Sequence, residues 1–182
     1  MRVSPVAILT LLLVAAALAA AVAWAGGSTA VPPPTPAAHE AEIARVLLLK
    51  SERRLALIDR EGVERRTYQV ALGGQPVGHK QREGDGRTPE GTYVLDWRNP
   101  KSAYHLSLHV SYPDVRDRRA ASRRGDDPGG MIMIHGLPNG LGWLGSAHLR
   151  VDWTDGCIAV TDAQIEEIWR MVPNGTPIEI RP

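Results

Sequence analysis

A single cysteine, Cys157, lies in the segment DWTDGCIAV at positions 152 to 160. A thiol becomes a strong nucleophile when a base removes its proton. Gly156 permits a tight backbone turn, and the consecutive amides of Gly156 and Cys157 could face the oxyanion that develops during acyl transfer. A lone cysteine can also be buried as a small hydrophobe or pair between chains. The neighbouring residues favour a chemical role.

A thiol nucleophile needs a base, and histidine is the usual one. His135 ends the apolar run MIMIHG and is followed by Gly136, as expected for a side chain presented at the rim of a sheet. Taken alone, His135 could equally be a hydrogen-bonded histidine at a strand end. The other histidines lie in a proline-rich spacer, in or beside loops, or on the polar face of a strand: His39, His79, His148, His105 and His109. If His135 is not the base, His148 or His109 is the next candidate.

The segments IMIHG and WTDGCIAVTDAQIEEIWRMVPNGTPIEI together resemble the L,D-transpeptidase catalytic domain, the YkuD family. The core motif of that family is a His-Gly pair, a spacer, and then Ser/Thr-His-Gly-Cys followed by an apolar residue and commonly by arginine or asparagine. The matching positions are His135, Gly136, Thr154, Gly156, Cys157 and Ile158. The resemblance covers nearly all of residues 43–181, including the opening hairpin, the segment GDGRTPEG and the closing GTPIEI.

The motif departs from the family pattern at two positions. Asp155 stands where the family usually has its second histidine, and Ala159 stands where it often has arginine. This form of the segment resembles a YafK-like sub-branch of the family, some of whose relatives are linked to hydrolysis of wall-peptide bonds. The missing side chains would stabilise the oxyanion and bind a substrate carboxylate. The departures therefore affect both of these functions. They leave the pair of Cys157 and His135 intact.

The resemblance implies cysteine-dependent acyl transfer on peptidoglycan stem peptides. Cys157 would be the nucleophile and His135 the general base, and a thioester would form at a stem-peptide carbonyl beside a diaminopimelate centre. Gly156, Thr154 and Asp155 would shape the turn and the oxyanion site. An amine acceptor would give a crosslink or attach a protein. Water would give the alternative, a peptidoglycan amidohydrolase that releases a wall-bound lipoprotein or peptide. No cofactor and no metal are expected in either case.

Two other functions would use the same residues differently. A zinc peptidase could use His135, His148 and Cys157, but their spacing matches no short metal motif, and an exposed thiolate is an unusual ligand for a catalytic zinc. A catalytically inactive wall-binding module would make Asp155 and Ala159 marks of decay. Decay should not keep the histidine and the cysteine in register, so this module ranks below both enzymes. An ordinary thiol, with no pKa below about 8, is expected in such a module.

Short aliphatic runs separated by turn residues predict the elements that position these groups. Residues 45–74 should form a three-stranded meander, and further strands should follow at 91–97, at 104–112 and at the closing 176–180. A helix should begin after Thr161, which forms a capping box with Gln164 ahead of apolar residues at helical spacing. The expected fold is mostly β, an L,D-transpeptidase-like β-sandwich with one well-signalled helix after the catalytic cysteine.

The strand YHLSLHVSY alternates cleanly between apolar and polar residues. Its apolar face should lie in the core, so His105 or His109 is expected to point into the groove that contains Cys157. A plain solvent-facing side fits the pattern equally well. Gly136 and His148 are assigned to the same groove.

A carboxylate close to the thiol would oppose thiolate formation and repel an oxyanion. Asp155 is therefore expected to turn away from Cys157 and to accept hydrogen bonds from backbone amides or from a cation such as Arg150. A role as the third member of a triad with His135 ranks second, because little chain separates Asp155 from the nucleophile. A carboxylate directed at the sulfur with no cation between them would favour the inactive module.

The N-terminal residues predict export. Residues 1–25 place Arg2 ahead of a long apolar run and small-x-small sites, which is typical of a signal peptide or a signal anchor. Residues 26–42, rich in proline and glycine, should form a semi-rigid spacer, and 43–182 the catalytic domain. The expected location is the periplasm or cell envelope. Membrane contact is expected only through the N-terminal segment, if it stays uncleaved.

The charge distribution argues against nucleic acid as a partner. The formal net charge is +1, and removing residues 1–25 takes away one arginine and leaves zero. Arginines between positions 116 and 124 are interleaved with aspartates, which predicts a solvated, self-compensating loop. The segments 78–91 and 113–130 fit neither helix nor strand periodicity, and both could border a site.

Overall fold

The computed structural model describes residues 42–182. Its strands are β1 (Ile43–Leu49), β2 (Arg54–Asp59), β3 (Glu64–Gln69), β4 (Gly91–Ser102), β5 (His105–Val110), β6 (Met133–His135), β7 (Ile158–Ala159) and β8 (Thr176–Arg181). Its helices are α1 (Val115–Arg124), a 3-10 helix (Gly142–Arg150) and α2 (Asp162–Met171). The predicted signal peptide or anchor and, apart from Glu42, the predicted spacer lie outside the described residues. No helix within 42–182 is long and apolar enough to cross a bilayer.

All eight strands belong to one curled sheet, in the order β3-β2-β1-β8-β4-β5-β6-β7. The first three form the predicted antiparallel meander. The last strand, β8, returns to the middle of the sheet, parallel to β1 and antiparallel to β4. The mostly-β class is confirmed.

The chain that leaves β3 reaches the other end of the sheet. Ala71 and Ala159 exchange both backbone hydrogen bonds, at 2.9 and 2.8 Å. Further along, the Gly74 amide donates to Thr154 O (3.0 Å), and the Thr154 amide donates to Leu72 O (3.1 Å). The segment after β3 therefore lies beside the cysteine loop and joins the two ends of the curled sheet.

One face of the sheet holds the main core. Its buried members come from every strand and from α2, and we call them the main core cluster: Ile43, Val46, Leu48, Leu55, Leu57, Tyr68, Val70, Leu72, Tyr93, Leu95, Leu108, Val110, Tyr112, Ile132, Ile134, Ile158, Val160, Ile165, Ile168, Val172, Ile178 and Ile180. The capping box predicted for α2 is present, with Thr161 Oγ1 accepting from the Gln164 amide. Burying each such aliphatic side chain contributes about 1.5–3 kcal/mol, so this cluster anchors both β6 and α2.

Helix α1 corrects the expectation of an irregular loop over 113–130. Asp114 caps the helix by accepting hydrogen bonds from the amides of its first turn, and Asp117 closes the capping box. The only buried residues of α1 are Asp117 and Ala121. Asp117 accepts a hydrogen bond from Tyr93 Oη at 3.1 Å. The helix contacts the domain largely through a carboxylate, which explains why no apolar periodicity marks it.

Residues 78–90 contain neither helix nor strand, yet two buried lysines fix their path. Lys50 donates to two backbone carbonyls of this segment and to Glu90, the latter at 2.8 Å. Lys80 donates to Asp85 at 2.9 Å. A buried ammonium is tolerated only when its donors are satisfied, so these contacts hold the segment in one conformation.

Gly73 tests the packing between this segment and the cysteine loop. A Cβ at position 73 would overlap the carbonyl of Gly86 and lie 3.0 Å from Gly156 Cα, whereas a Cβ at Gly74 meets nothing within 4 Å. Gly73→Ala should therefore lower the free energy of unfolding by about 1–3 kcal/mol, and Gly74→Ala should leave it nearly unchanged. Urea denaturation measures both. Equal stability of the two variants would contradict this packing.

Candidate active site

The parallel pair β6 and β7 positions the histidine and the cysteine. Ile134 pairs with Ile158, and His135 pairs with Ala159. Ile134 and Ile158 lie in the main core cluster. Because successive side chains of a strand point to opposite faces, His135 points away from that cluster. Cys157, two residues before Ala159, lies on the same side as His135.

Both residues line one cleft of about 270 Å³. Its lining residues are Ser102, Tyr104, Ser107, Met131, Met133, His135, Trp153, Thr154, Asp155 and Cys157. The cleft therefore brings together four of the predicted site residues, which are His135, Thr154, Asp155 and Cys157. The other five predicted site residues, which are Gly156, Gly136, His105, His109 and His148, do not line it.

His135 is held in an orientation suited to a base. Its Nδ1 lies 2.7 Å from Gly136 O, so this nitrogen carries the proton and donates to the carbonyl, and Nε2 is left to accept a proton. The rings of Tyr104 and Trp153 flank the imidazole, with centroids at 4.6 and 5.8 Å. Burial lowers the pKa of His135 below its ordinary 6.5, against the opposing effect of the Gly136 hydrogen bond. The imidazole is therefore neutral at neutral pH.

The thiol of Cys157 is also neutral. Its Sγ lies 3.6 Å from Met131 O, to which it donates. Burial raises the pKa of Cys157 above 9.0, a backbone hydrogen bond from Met133 lowers it, and the Asp155 charge raises it. The thiol pKa below 8 that would mark a preformed thiolate is not what the structure gives. Any reaction that used these two neutral groups as nucleophile and base would begin with proton transfer from sulfur to imidazole.

Thr154 fixes the turn that presents the cysteine. Its buried hydroxyl donates to Cys157 O at 2.8 Å and accepts from the Gly156 amide at 3.2 Å. Gly156 adopts φ +124°, and a Cβ there would lie 2.5 Å from Arg87 O, so only glycine fits. Since the Gly156 amide is engaged, the Cys157 amide is the better of the two predicted donors for an oxyanion.

A family model of the L,D-transpeptidase catalytic domain (YkuD) matches residues 44–180. The chain belongs to this family. The resemblance found in the sequence motif is thus confirmed over nearly all of the described domain.

Individual proteins are also similar to this chain in sequence or in structure. The Escherichia coli (strain K12) protein named "Putative L,D-transpeptidase YafK" is 29% identical over 133 residues, which is 70% of this chain and 46% of the relative. The crystal structure of the helical cell shape determining protein Pgp2 from Campylobacter jejuni has a TM-score of 0.60 and 26% identity, covering 78% of this chain and 48% of that one. Bdellovibrio bacteriovorus Bd1075, at 24% identity and a TM-score of 0.54, shares the fold. The chain spans less than half the length of YafK and Pgp2.

Asp155 does not take the role expected of it. Asp155, which stands where the family usually has a histidine, is exposed and lines the cleft. Its carboxylate has no hydrogen bond or ion pair, with Arg150, with His135 or with any other residue between 42 and 182. Both the anchored role and the triad role are therefore wrong. The physical reason is that Thr154 already supplies the hydrogen bonds that fix the turn.

His105 and His109 do not point into the cleft. His105, with φ +64°, turns its ring towards α2, and its Nε2 lies 2.8 Å from Glu166 Oε1. His109 Nδ1 lies 2.7 Å from Asp96 Oδ1, and its ring stacks on Trp97. The polar face of β5 does reach the cleft, but through the side chain between the two histidines, Ser107, which pairs with His135.

Gly136 and His148 also lie outside the cleft lining, and both position residues that belong to it. Gly136 supplies the carbonyl that orients His135. His148 is buried and accepts a hydrogen bond from Trp153 Nε1 at 3.3 Å. Trp153 in turn forms a wall of the cleft. Within residues 42–182, no three His, Cys, Asp or Glu side chains are grouped so as to hold a metal ion.

Six lining residues were missed in the sequence: Ser102, Tyr104, Ser107, Met131, Met133 and Trp153. Trp153 could have been found, because it directly precedes the motif threonine. Tyr104 could not, since it lies in the turn between β4 and β5, where strand alternation no longer fixes the side. Met131 has φ +55° and contributes its carbonyl to the thiol, a backbone role that side-chain pattern does not reveal.

Removal of the Thr154 hydroxyl should loosen the cysteine turn. Thr154→Val keeps the shape but loses two hydrogen bonds, so the free energy of unfolding should fall by about 1–3 kcal/mol. Thr154→Ser keeps the hydroxyl and should retain most of the stability. Chemical denaturation of both variants checks this. If the valine variant is as stable as the serine variant, the hydroxyl does not hold the turn.

Alkylation by iodoacetamide, which reacts with the thiolate, tests directly whether the Cys157 thiol is neutral. Because the pKa of Cys157 is raised, the thiolate forms at higher pH, and the alkylation rate of the folded protein should rise through a midpoint above pH 9. Asp155→Asn should move this midpoint to lower pH, since the carboxylate contributes to the increase. Urea-unfolded protein, the control, should titrate in the ordinary range. A folded-state midpoint below about 8 would contradict this account.

Proposed function

We propose that this protein catalyses cysteine-dependent acyl transfer on peptidoglycan stem peptides through a thioester. The observation that carries the proposal is that Cys157 and His135 line one cleft while Gly136 O holds the imidazole with Nε2 free to accept a proton. Membership of the L,D-transpeptidase family gives the substrate class. The expected site is the periplasm or cell envelope, and the cell-shape role named for Pgp2 supports action on the wall.

The first half-reaction follows from the two neutral partners. His135 Nε2 takes the thiol proton as Sγ bonds to the scissile carbonyl carbon, and the carbonyl oxygen becomes an oxyanion near the Cys157 amide. The imidazolium then gives its proton to the departing amine as the C–N bond breaks. The product is a thioester on Cys157 and a free amine.

The second half-reaction regenerates the thiol. An acceptor amine, or water, attacks the thioester carbonyl while His135 removes its proton. Collapse of the tetrahedral intermediate breaks the C–S bond, and the proton passes from the imidazolium to sulfur. An amine leaves a new amide, which is a crosslink or a protein attachment, and water leaves a carboxylic acid.

Peptidoglycan amidohydrolysis, including release of a wall-bound lipoprotein, is the second candidate. Asp155 favours it, because a carboxylate at the cleft that lacks a partner among residues 42–182 can hold a water near the thioester. The same carboxylate can attract a cationic amine acceptor. Product analysis with and without an amine acceptor therefore decides between the two enzymes.

A catalytically inactive wall-binding module has one observation in its favour. Burial, and after it the Asp155 charge, raise the pKa of Cys157, which opposes thiolate formation and matches the ordinary thiol expected of such a module. The hydrogen bond that aligns His135 and the hydroxyl that fixes the cysteine turn support the enzyme, because a site without chemistry requires neither. Adduct formation separates the two functions.

Mass spectrometry after incubation with tetrapeptide muropeptides tests the proposal. Wild-type protein should gain an acyl adduct on Cys157, and Cys157→Ser should gain none while keeping its fold, because a hydroxyl is a far poorer nucleophile. His135→Ala should slow adduct formation by about 10²–10⁴-fold.

The matched control is His109→Ala, which removes a histidine outside the cleft and should acylate at the wild-type rate. An active Cys157→Ser variant would exclude the thioester mechanism. Equal rates for the two histidine variants would exclude His135 as the base. Absence of an adduct on the wild-type protein would favour the inactive module.

A further inference from the structure

Residues 75–87 and the C-terminal end of α1 border a second cavity, of about 520 Å³. Its lining residues are Gln75, Gln81, Arg82, Gly84, Asp85, Arg87, Arg124 and Asp126. Three of them are arginines, and none is shared with the catalytic cleft. The cavity therefore differs from the cleft in its charge.

The carboxylate of Asp85 is already satisfied inside the protein. It accepts hydrogen bonds from Lys80 Nζ at 2.9 Å and from the amides of Gln81, Arg82 and Arg87 at 2.7, 3.2 and 3.1 Å. Burial acts to raise the pKa of Asp85, but these hydrogen bonds lower it to about 2. Asp85 and Lys80 neutralise each other, so this carboxylate leaves the arginine charges uncompensated.

Only one of the three guanidinium groups has a carboxylate partner. Arg124 pairs with Asp126 at 3.0 Å. Arg87 makes one long hydrogen bond, 3.5 Å to His79 O. Arg82 has no side-chain hydrogen bond or ion pair with the described residues. The cavity thus carries about two positive charges, from Arg82 and Arg87, that no side chain of residues 42–182 neutralises.

The catalytic cleft, in contrast, lacks positively charged side chains. Its lining contains no lysine or arginine, and its one charged side chain at neutral pH is Asp155. A substrate carboxylate would find no cation there and would be repelled by Asp155. A stem peptide carries free carboxylates on its glutamate and diaminopimelate residues. These groups therefore need a binding site outside the cleft.

The two cavities have walls on neighbouring segments of the chain. Gln75 lines the second cavity, and Gly74, beside it, donates to O of Thr154, which lines the cleft. One extended residue spans about 3.3–3.6 Å, and neighbouring strands lie about 4.8 Å apart. An extended peptide can therefore cross from one of these segments to the other within a few residues.

We propose that the cavity around Arg82 and Arg87 binds a carboxylate of the stem peptide whose carbonyl reacts at Cys157. The site is distinct from the catalytic pair, and the proposal rests on the proposed function. A guanidinium matches a carboxylate in a bidentate, charge-assisted pair, which makes arginine the residue type suited to this task. The arginines would select substrates with a free carboxylate and would fix the register of the peptide in the cleft.

The test compares two substrates on two kinds of variant. One substrate is a tetrapeptide muropeptide with free carboxylates, and the other has its carboxylates outside the scissile bond amidated. The double variant Arg82→Gln/Arg87→Gln should lower kcat/KM for the acidic substrate by about 10- to 100-fold and leave the amidated substrate unaffected. Arg119→Gln, which removes an exposed arginine of α1 that lines neither cavity, should match wild type on both substrates.

Equal losses of the double variant on both substrates, or no loss on either, would overturn the proposal. If the Arg87 change loosens its segment, the single variant Arg82→Gln still tests the proposal. The exposed side chain of Arg82 has no partner among the described residues. Thermal unfolding of each variant shows whether the fold is retained. A smaller loss confined to the acidic substrate in the single variant would support the site.

A binding measurement separates this proposal from the proposed function. Calorimetry on Cys157→Ala with the acidic muropeptide needs no chemistry, and the two arginine changes should weaken binding about 10-fold or more, with no effect on the amidated muropeptide. If the two arginine changes left binding of the acidic muropeptide unchanged while the wild-type protein still formed the thioester, the carboxylate site alone would be overturned. The proposal would also be overturned if inorganic phosphate bound through both arginines while the two arginine changes left binding of the acidic muropeptide unaltered.

Discussion

The site depends on the close approach of three backbone segments that leave no room for a side chain. Gly73, Gly86 and Gly156 meet where the chain leaving β3 passes the cysteine loop, and a Cβ at Gly73 or Gly156 would collide with a backbone carbonyl. This contact joins the two ends of a curled sheet, because the same chain pairs with β7 through Ala71. Cys157 therefore lies at the closure of the fold. Its position is set by sheet geometry and not by a flexible loop.

The same packing determines the chemistry. Closure of the sheet buries His135 and half-buries Cys157, and burial disfavours the charged forms of a thiol and an imidazole alike. Cys157 and His135 consequently meet as neutral partners. A buried hydrogen bond from His135 to the Gly136 carbonyl and a partly buried one from Thr154 to the cysteine turn orient this pair. In the proposed acyl transfer, alignment of the proton transfer would replace a standing thiolate as the source of reactivity.

Local signals in the sequence predicted the parts of the structure that local physics determines. The meander, the capping box at Thr161 and the mostly-β class needed only turn chemistry and alternation, and the motif around Cys157 gave the family. Long-range contacts set the rest. His109 turns to an aspartate and a tryptophan of the adjacent strand, which alternation cannot reveal. α1 was missed because Asp117, a carboxylate, is one of only two buried residues. Asp155 has no anchor because a neighbouring hydroxyl already fixes the turn.

The irregular segment 78–90 packs against the cysteine loop and also lines the cavity that is proposed to bind a carboxylate. A regular strand would send alternate side chains to opposite faces, and its amides would be used by the ladder. Here the amides of this segment converge on Asp85, whose charge is neutralised by Lys80, and the carbonyl of Arg87 packs against the cysteine loop. Arg87 itself lines the second cavity. A change that moved the backbone here would therefore disturb both the turn that presents Cys157 and the arginines of the proposed carboxylate site.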